Sequence, residues 1–198
     1  INIRPINKDI KKSYEDLKKN EKKLLRSNQN FKFSYEILRE LGLSNYKIFN
    51  SMNTFKGLKY RQQIIYSDQK KIFINDSKST NYYSLLDALK KFREIILICG
   101  GLEKSKDINI LDNNLKQIKK VIIIGENSNT LFKYFEHKVS TVYARKLNLA
   151  IIEIRNYLKI NNEFNTVLFS PGAASFDQYD NFEERGKHFN NLVTRLIK

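Results

Sequence analysis

From Phe73 onward the sequence alternates short β-branched runs with amphipathic stretches. This rhythm constrains the fold more than any other feature, because it is the pattern of βαβ units laid on a parallel sheet. Strands are expected over residues 71–75, 94–99, 121–125, 140–143 and 166–169. Helical patterns fall between them, near 82–92, 110–119, 129–135 and 147–158. In the last of these, Leu147, Ile151, Ile154 and Leu158 recur at spacings of three and four, as one buried helix face requires. A terminal helix is expected to start at Asn181, which can cap it, with Glu184 in the capping-box position and an apolar stripe of Phe182, Phe189, Val193 and Leu196. The fold class is therefore α/β, with a Rossmann-like, mostly parallel sheet.

The first 60 or so residues lack this rhythm. Stretches 30–41 and 45–54 read as helices, and Gly42 stops the first. The segment is expected to belong to another domain, with the boundary in "FKGLKYR" (55 to 61) and a further strand at 63–66. Two domains are expected, 1–61 and 62–198. The chain opens on Ile1 with no apolar signal-peptide core, so it is expected to be a piece of a longer protein.

With 198 residues and 41% hydrophobic content, the chain can build one medium or two small cores. Its longest apolar runs, at 95–99 and 121–124, are far short of the roughly 20 residues that span a bilayer. One cysteine, Cys99, excludes an internal disulfide framework and fits a reducing, cytoplasmic compartment. His137 and His188 stand far apart without Cys partners, which argues against a zinc site. The formal charge of +15 invites a nucleic-acid reading. The lysines, however, are spread along the chain, and the densest basic stretch, 11–26, also carries Glu15, Asp16 and Glu21, so a solvated helix face is the simpler reading.

In an open α/β sheet, ligands bind beyond the carboxyl ends of the strands. Three polar clusters stand at such ends: residues 75–81 ("NDSKSTN"), 100–105 ("GGLEKS") and 170–186 ("SPGAASFDQYDNFEERG"). Taken singly, the first can be a capping loop, the second a bare turn, and the third a long connector. Three on one rim favour a site.

The residues of these clusters, together with "FKGLKYR", resemble the muramyl ligases, and within that family the members that add D-glutamate. The likeness runs from roughly residue 30 to the C-terminus. It implies the end of a central ATPase domain followed by a complete Rossmann-like C-terminal domain. It further implies ATP-dependent addition of D-glutamate to UDP-N-acetylmuramoyl-L-alanine through an acyl phosphate, with Mg2+ required. The family's Walker-type loop, its magnesium ligands and its carbamylated lysine have no counterpart here. No catalytic residue and no metal ligand is assigned within this chain, and alone it is expected to be inactive.

By the same resemblance, Asn30 contacts adenine, Arg61 and Asp76 lie at the nucleotide with Asp76 on the ribose hydroxyls, and Lys78 lies near the phosphates. Members often carry His-Asn before the adenine-contacting region; here Arg26-Ser27 stands instead, so that assignment rests on Asn30. D-Glutamate is held by Thr80, Lys104, Ser175 and the backbone of Phe182. A helix start suits the last role, because its first N–H groups have no internal partner and point at any anion placed there. Two other readings stay open. A non-catalytic Rossmann-like binding module that takes nucleic acid would bind in a steeply salt-dependent way and ignore D-glutamate. A folylpolyglutamate synthase-like ligase shares the architecture, but its last loop is not expected to read as 170–186 does.

Overall fold

The computed structural model describes residues 17–27, 29–102, 107–126 and 128–198. The chain divides into two compact units, one ending at Lys56 and one running from Gly57 to Lys198.

The first unit contains helices α1 (Lys19–Ser27), α2 (Gln29–Glu40) and α3 (Asn45–Thr54). Its core gathers Leu17, Leu25, Tyr35, Ile48, Phe49 and Met52. After α2, Gly42 takes φ +79°, and the amides of Gly42 and Leu43 donate to the carbonyls of Arg39 and Leu38. This is the Schellman ending, which satisfies the last carbonyls of a helix and sets where the next can begin. Ser44 then caps α3 through its hydroxyl.

In the second unit, β1 (Gln63–Ser67), β2 (Lys71–Asn75), β3 (Ile95–Gly100), β4 (Ile118–Ile124), β5 (Ser140–Arg145) and β6 (Asn165–Phe169) form one sheet in the order β1-β2-β6-β3-β4-β5. Only β1 is antiparallel. The possible strand at 63–66 is thus an edge strand, joined to β2 by a hairpin in which the Asp68 carboxylate accepts from the amides of Lys70 and Lys71. The other pairs are parallel.

Alternate residues along the strands face opposite cores. Ile74, Leu97, Cys99, Val121, Ile123 and Leu168 pack on one side with α4 (Tyr82–Lys91), α5 (Ser128–Phe135) and a 3₁₀ segment (Ile108–Gln117). Phe73, Ile96, Ile98, Ile122, Val167 and Phe169 pack on the other, beneath α6 (Leu147–Ile160) and α7 (Phe182–Ile197). Cover on both faces explains why β3 and β6 are buried along their whole length, and why β3 reads as an apolar run and β6 ends on Val167-Leu168-Phe169.

Three expectations need correction. The stretch read as a helix over 110–119 is a 3₁₀ segment that stops at Gln117, and residues 118–120 already belong to β4. Pairing of Ile118 with Ile95, and a Lys119 ammonium bridging the carboxylates of Glu94 and Glu163 at 2.6 and 2.7 Å, draw this stretch into the sheet. In α7, Phe189 and Val193 are buried, but Phe182 is only half-buried and stays out of the core. Tyr82 and Tyr83, adjacent aromatics at a helix start whose simpler reading is packing rather than stacking on bases, divide: Tyr82 is buried and Tyr83 is 62% exposed.

The chain passes from β2 over one face to β3, steps outward through β4 and β5, and returns by α6 to insert β6 between β2 and β3. The helix after β6 therefore lies on the face opposite those after its two neighbours. Such a divergence of connections opens a crevice at the carboxyl ends of the strands.

Candidate substrate-binding rim

The three polar clusters follow β2, β3 and β6, which are adjacent, so they share one edge of the sheet. The cluster after β2 is anchored before it is exposed. The side-chain amide of Asn75 donates to the carbonyl of Gly186 and to Asn190 Oδ1 at 2.8 and 2.7 Å, tying the strand end to α7. Its Oδ1 accepts from the amide of Ser77, which turns the chain. The amide of Asp76 donates to the carbonyl of Phe169, carrying the ladder with β6 one step past the strand.

Asp76 is 5% exposed. Its carboxylate accepts from the Ser170 hydroxyl at 2.8 Å and from the amide of Gln62 at 3.1 Å. Burial raises its pKa to about 6, against the downward pull of these two hydrogen bonds and of the charges on Lys91 and Arg61. The Arg61 side chain itself is exposed. Further along, the amide of Lys78 donates to the carbonyl of Tyr60, and Lys78 Nζ sits 3.7 Å from the centre of the Phe182 ring. Thr80, half-buried, immediately precedes Asn81, whose side chain caps α4 by accepting from Ser84.

Residues 170–181 are laid across the ends of several strands before α7 begins, which accounts for the length of this connection. The Ser170 amide donates to the carbonyl of Ile98, and the Gly100 amide donates to the carbonyl of Pro171. Leu102 and Ala174 exchange amide-to-carbonyl bonds of 2.9 Å in both directions. Beyond them, Asp177 Oδ2 accepts from the amide of Glu126, and the Gln178 side chain donates to the carbonyl of Arg145. The small residues are needed for these close approaches. A Cβ on Gly101, at φ +142°, would stand 2.3 Å from the Ala174 carbonyl oxygen, and Ala173 and Ala174 are themselves buried. Ser175 is 2% exposed, and its carbonyl accepts from the amides of Gln178 and Tyr179. Asn181 then caps α7, accepting from the Glu184 amide at 2.8 Å, while the Glu184 carboxylate reaches back to the amide of Asp180.

Asp76, Lys78, Thr80 and Ser175, on loops, and Phe182, the first residue of α7, thus share the rim. Asn30, at the start of α2, belongs to the other unit and is exposed. Lys104 lies outside the described residues.

Arg185, on the first turn of α7, was not anticipated from the sequence. It is 1% exposed. Its Nε donates to Ser77 Oγ at 3.1 Å, and its Nη2 donates to the carbonyls of Ser77 and Ala173 at 2.8 and 3.1 Å. Ser77 Oγ in turn donates to the carbonyl of Phe182 at 2.8 Å. The available signal was its spacing: Arg185 stands three residues after Phe182 and four before Phe189, on the inward face of the helix. The buried hydroxyl of Ser170 on Asp76 gave no comparable signal.

No family model matches the chain. Individual relatives do. The chain is 41% identical over 159 residues to the UDP-N-acetylmuramoylalanine–D-glutamate ligase of Petrotoga mobilis, an alignment covering 78% of this chain and 36% of that protein. It is 33% identical over 188 residues to the protein of the same name from Wolbachia pipientis wMel, covering 93% of this chain and 36% of the relative. With the namesake from Dinoroseobacter shibae it shares 37% identity over 174 residues, again 36% of the relative. The chain therefore spans about a third of the length of the curated relatives it matches.

Proposed function

Because this chain belongs to the Mur ligase family, we propose that it supplies the amino-acid-binding part of an ATP-dependent ligase that joins D-glutamate to UDP-N-acetylmuramoyl-L-alanine in peptidoglycan synthesis. The observation that carries this reading is the gathering of the loops after β2, β3 and β6 on one rim, with a buried carboxylate at Asp76 and the first turn of α7 following the last of these loops.

The residue chemistry fits both small ligands. D-Glutamate carries two carboxylates and needs donors at two separated points. The Phe182 amide, in the first turn of α7, is free of intrahelical partners and lies where the helix dipole favours an anion. Ser175 and Thr80 add neutral donors, and Lys104 adds a cation. On the nucleotide side, Asp76 can accept from vicinal ribose hydroxyls, and Arg61 and Lys78 offer cations to phosphate oxygens. Bound ATP supplies the phosphoryl group that activates the acceptor's carboxylate as an acyl phosphate. No residue of this chain is assigned to Mg2+. The chain's own contribution is to bind the amino acid and orient its amine, and positioning of this kind can lower a barrier by several kcal/mol.

The test is an amide-resolved NMR titration of the 198-residue chain. D-Glutamate is expected to shift the amides of residues 77–81 and 175–184, L-glutamate to leave them in place, and ATP to shift those of residues 61–78. No D-glutamate-dependent shift up to tens of millimolar, or equal shifts with both enantiomers, would overturn the reading.

A further inference from the structure

We infer that Arg185 is the positioning cation of the rim: it sets the geometry of the loop and helix start that receive a substrate carboxylate, and its guanidinium supplies the positive charge facing that carboxylate. This deepens the D-glutamate reading and rests on it.

Three observations support it. First, Arg185 is the point at which two of the clusters meet. Through Nη2 it holds the carbonyls of Ser77 and Ala173, two residues ahead of Ser175. Through Nε it holds the Ser77 hydroxyl, which donates onward to the Phe182 carbonyl. The segments carrying Ser175 and Phe182 are therefore referenced to one planar, forked donor. A guanidinium fixes such geometry in a way that a rotating ammonium does not.

Second, the fork is not fully used. Nη1 is buried and has no hydrogen-bond partner. It faces the cluster after β3, since a Cβ built on Gly101 would lie 3.2 Å from it. A buried donor left unpaired carries a desolvation cost, which an arriving acceptor would relieve.

Third, the charge makes no direct ion pair. Every hydrogen-bond acceptor of the guanidinium described above is a neutral oxygen, and no ion pair to Arg185 occurs among the described residues. Burial lowers its pKa to about 10, while Asp177 and Tyr179 pull the other way, so the group stays charged at neutral pH. A buried guanidinium whose direct partners are all neutral, with Asp177 acting only from beyond ion-pair distance, still favours an anion at its open side. A carboxylate held by the Phe182 amide and Ser175 would answer it.

The experiment compares Arg185→Met, which removes the charge, Arg185→Lys, which keeps the charge but loses the fork, and Ser77→Ala, which cuts the relay to Phe182. Dissociation constants for D-glutamate and for ATP are measured by the same NMR titration on the folded fraction of each variant, with thermal unfolding recorded separately. Arg185→Met is expected to weaken D-glutamate about tenfold to a hundredfold, the loss associated with a charged hydrogen-bond partner, with ATP affinity unchanged. Arg185→Lys is expected to fall between it and the wild type, and Ser77→Ala to weaken D-glutamate severalfold while leaving the guanidinium in place. A merely structural arginine predicts lower melting temperatures with D-glutamate affinity retained, and that result would overturn the inference. If Arg185→Met does not fold, wild-type affinity in both Arg185→Lys and Ser77→Ala has the same force. Absence of D-glutamate binding by the wild-type chain would refute the parent reading, and the role of Arg185 with it.

Discussion

Asp76 concentrates the residue-scale physics of this chain. Its pKa is raised from the ordinary 3.8 to about 6, so the folded state holds the proton more tightly than the unfolded state does. The stabilisation this gives is complete below pH 4 and is lost as the pH rises through 6. At neutral pH the ionised, buried carboxylate costs on the order of 3 kcal/mol relative to an unperturbed one, at about 1.4 kcal/mol per pKa unit. In Asp76→Asn the Gln62 amide keeps an acceptor, and the Ser170 hydroxyl can turn to accept instead of donate. The variant is therefore expected to melt a few degrees above the wild type at pH 7, with the gap closing toward pH 4; parallel melting curves across pH 4–7 would contradict this. Glycines give a second contrast. Gly101→Ala puts a Cβ 2.3 Å from a backbone oxygen at φ +142°, and a loss of roughly 3 kcal/mol or more is expected. Gly42→Ala meets nothing within 4 Å and bears only the left-handed backbone, about 1 kcal/mol. Urea unfolding of the two variants measures the difference. At this scale the sequence revealed polar residues well and their partners poorly. Asp76 was legible as a strand-end carboxylate, but its bond to Ser170 joins residues 94 positions apart, and Arg185 depends on Ser77 from 108 positions away.

At the scale of elements, caps and periodicity were legible because they are local. Asn181 caps α7 with a 2.8 Å bond to the Glu184 amide, whereas Ser44 caps α3 with a longer bond of 3.4 Å to the Lys47 amide. Asn181→Ala is expected to cost about 1 kcal/mol and Ser44→Ala distinctly less, as read by chemical denaturation. Equal losses would mean that cap geometry does not govern these helix starts. The 3₁₀ segment was misread because Ile110, Leu111 and Leu115 imitate a helical stripe, while the pairing of Ile118 with Ile95 that ends it is a tertiary event. The antiparallel direction of β1 was similarly hidden: an edge strand of five residues carries no sign of which way its neighbour runs.

For the molecule as a whole, the parallel sheet was legible from alternation alone, whereas the strand order was not, since insertion of β6 between β2 and β3 has no local signature. The compact unit from Gly57 includes the connector that precedes β1. That connector is fastened by the Gln62 amide on Asp76, by the Tyr60 carbonyl accepting from Lys78, and by the Tyr60 ring lying against Gly186. A protein of residues 57–198 is expected to fold cooperatively, while one of residues 63–198 should melt several degrees lower, because Asp76 and Gly186 lose these partners. Calorimetry on both truncations decides the point, and indistinguishable melting temperatures would show the connector to be passive. The late position of β6 also bears on synthesis. As the chain leaves the ribosome, β2 and β3 emerge without the strand that joins them, and each exposes a pairing edge until residue 169 is clear of the exit tunnel. A nascent chain that stalls before that residue therefore carries two incomplete half-sheets and no rim at all, so translation arrest yields a target for chaperones and proteases rather than a weakened binding site.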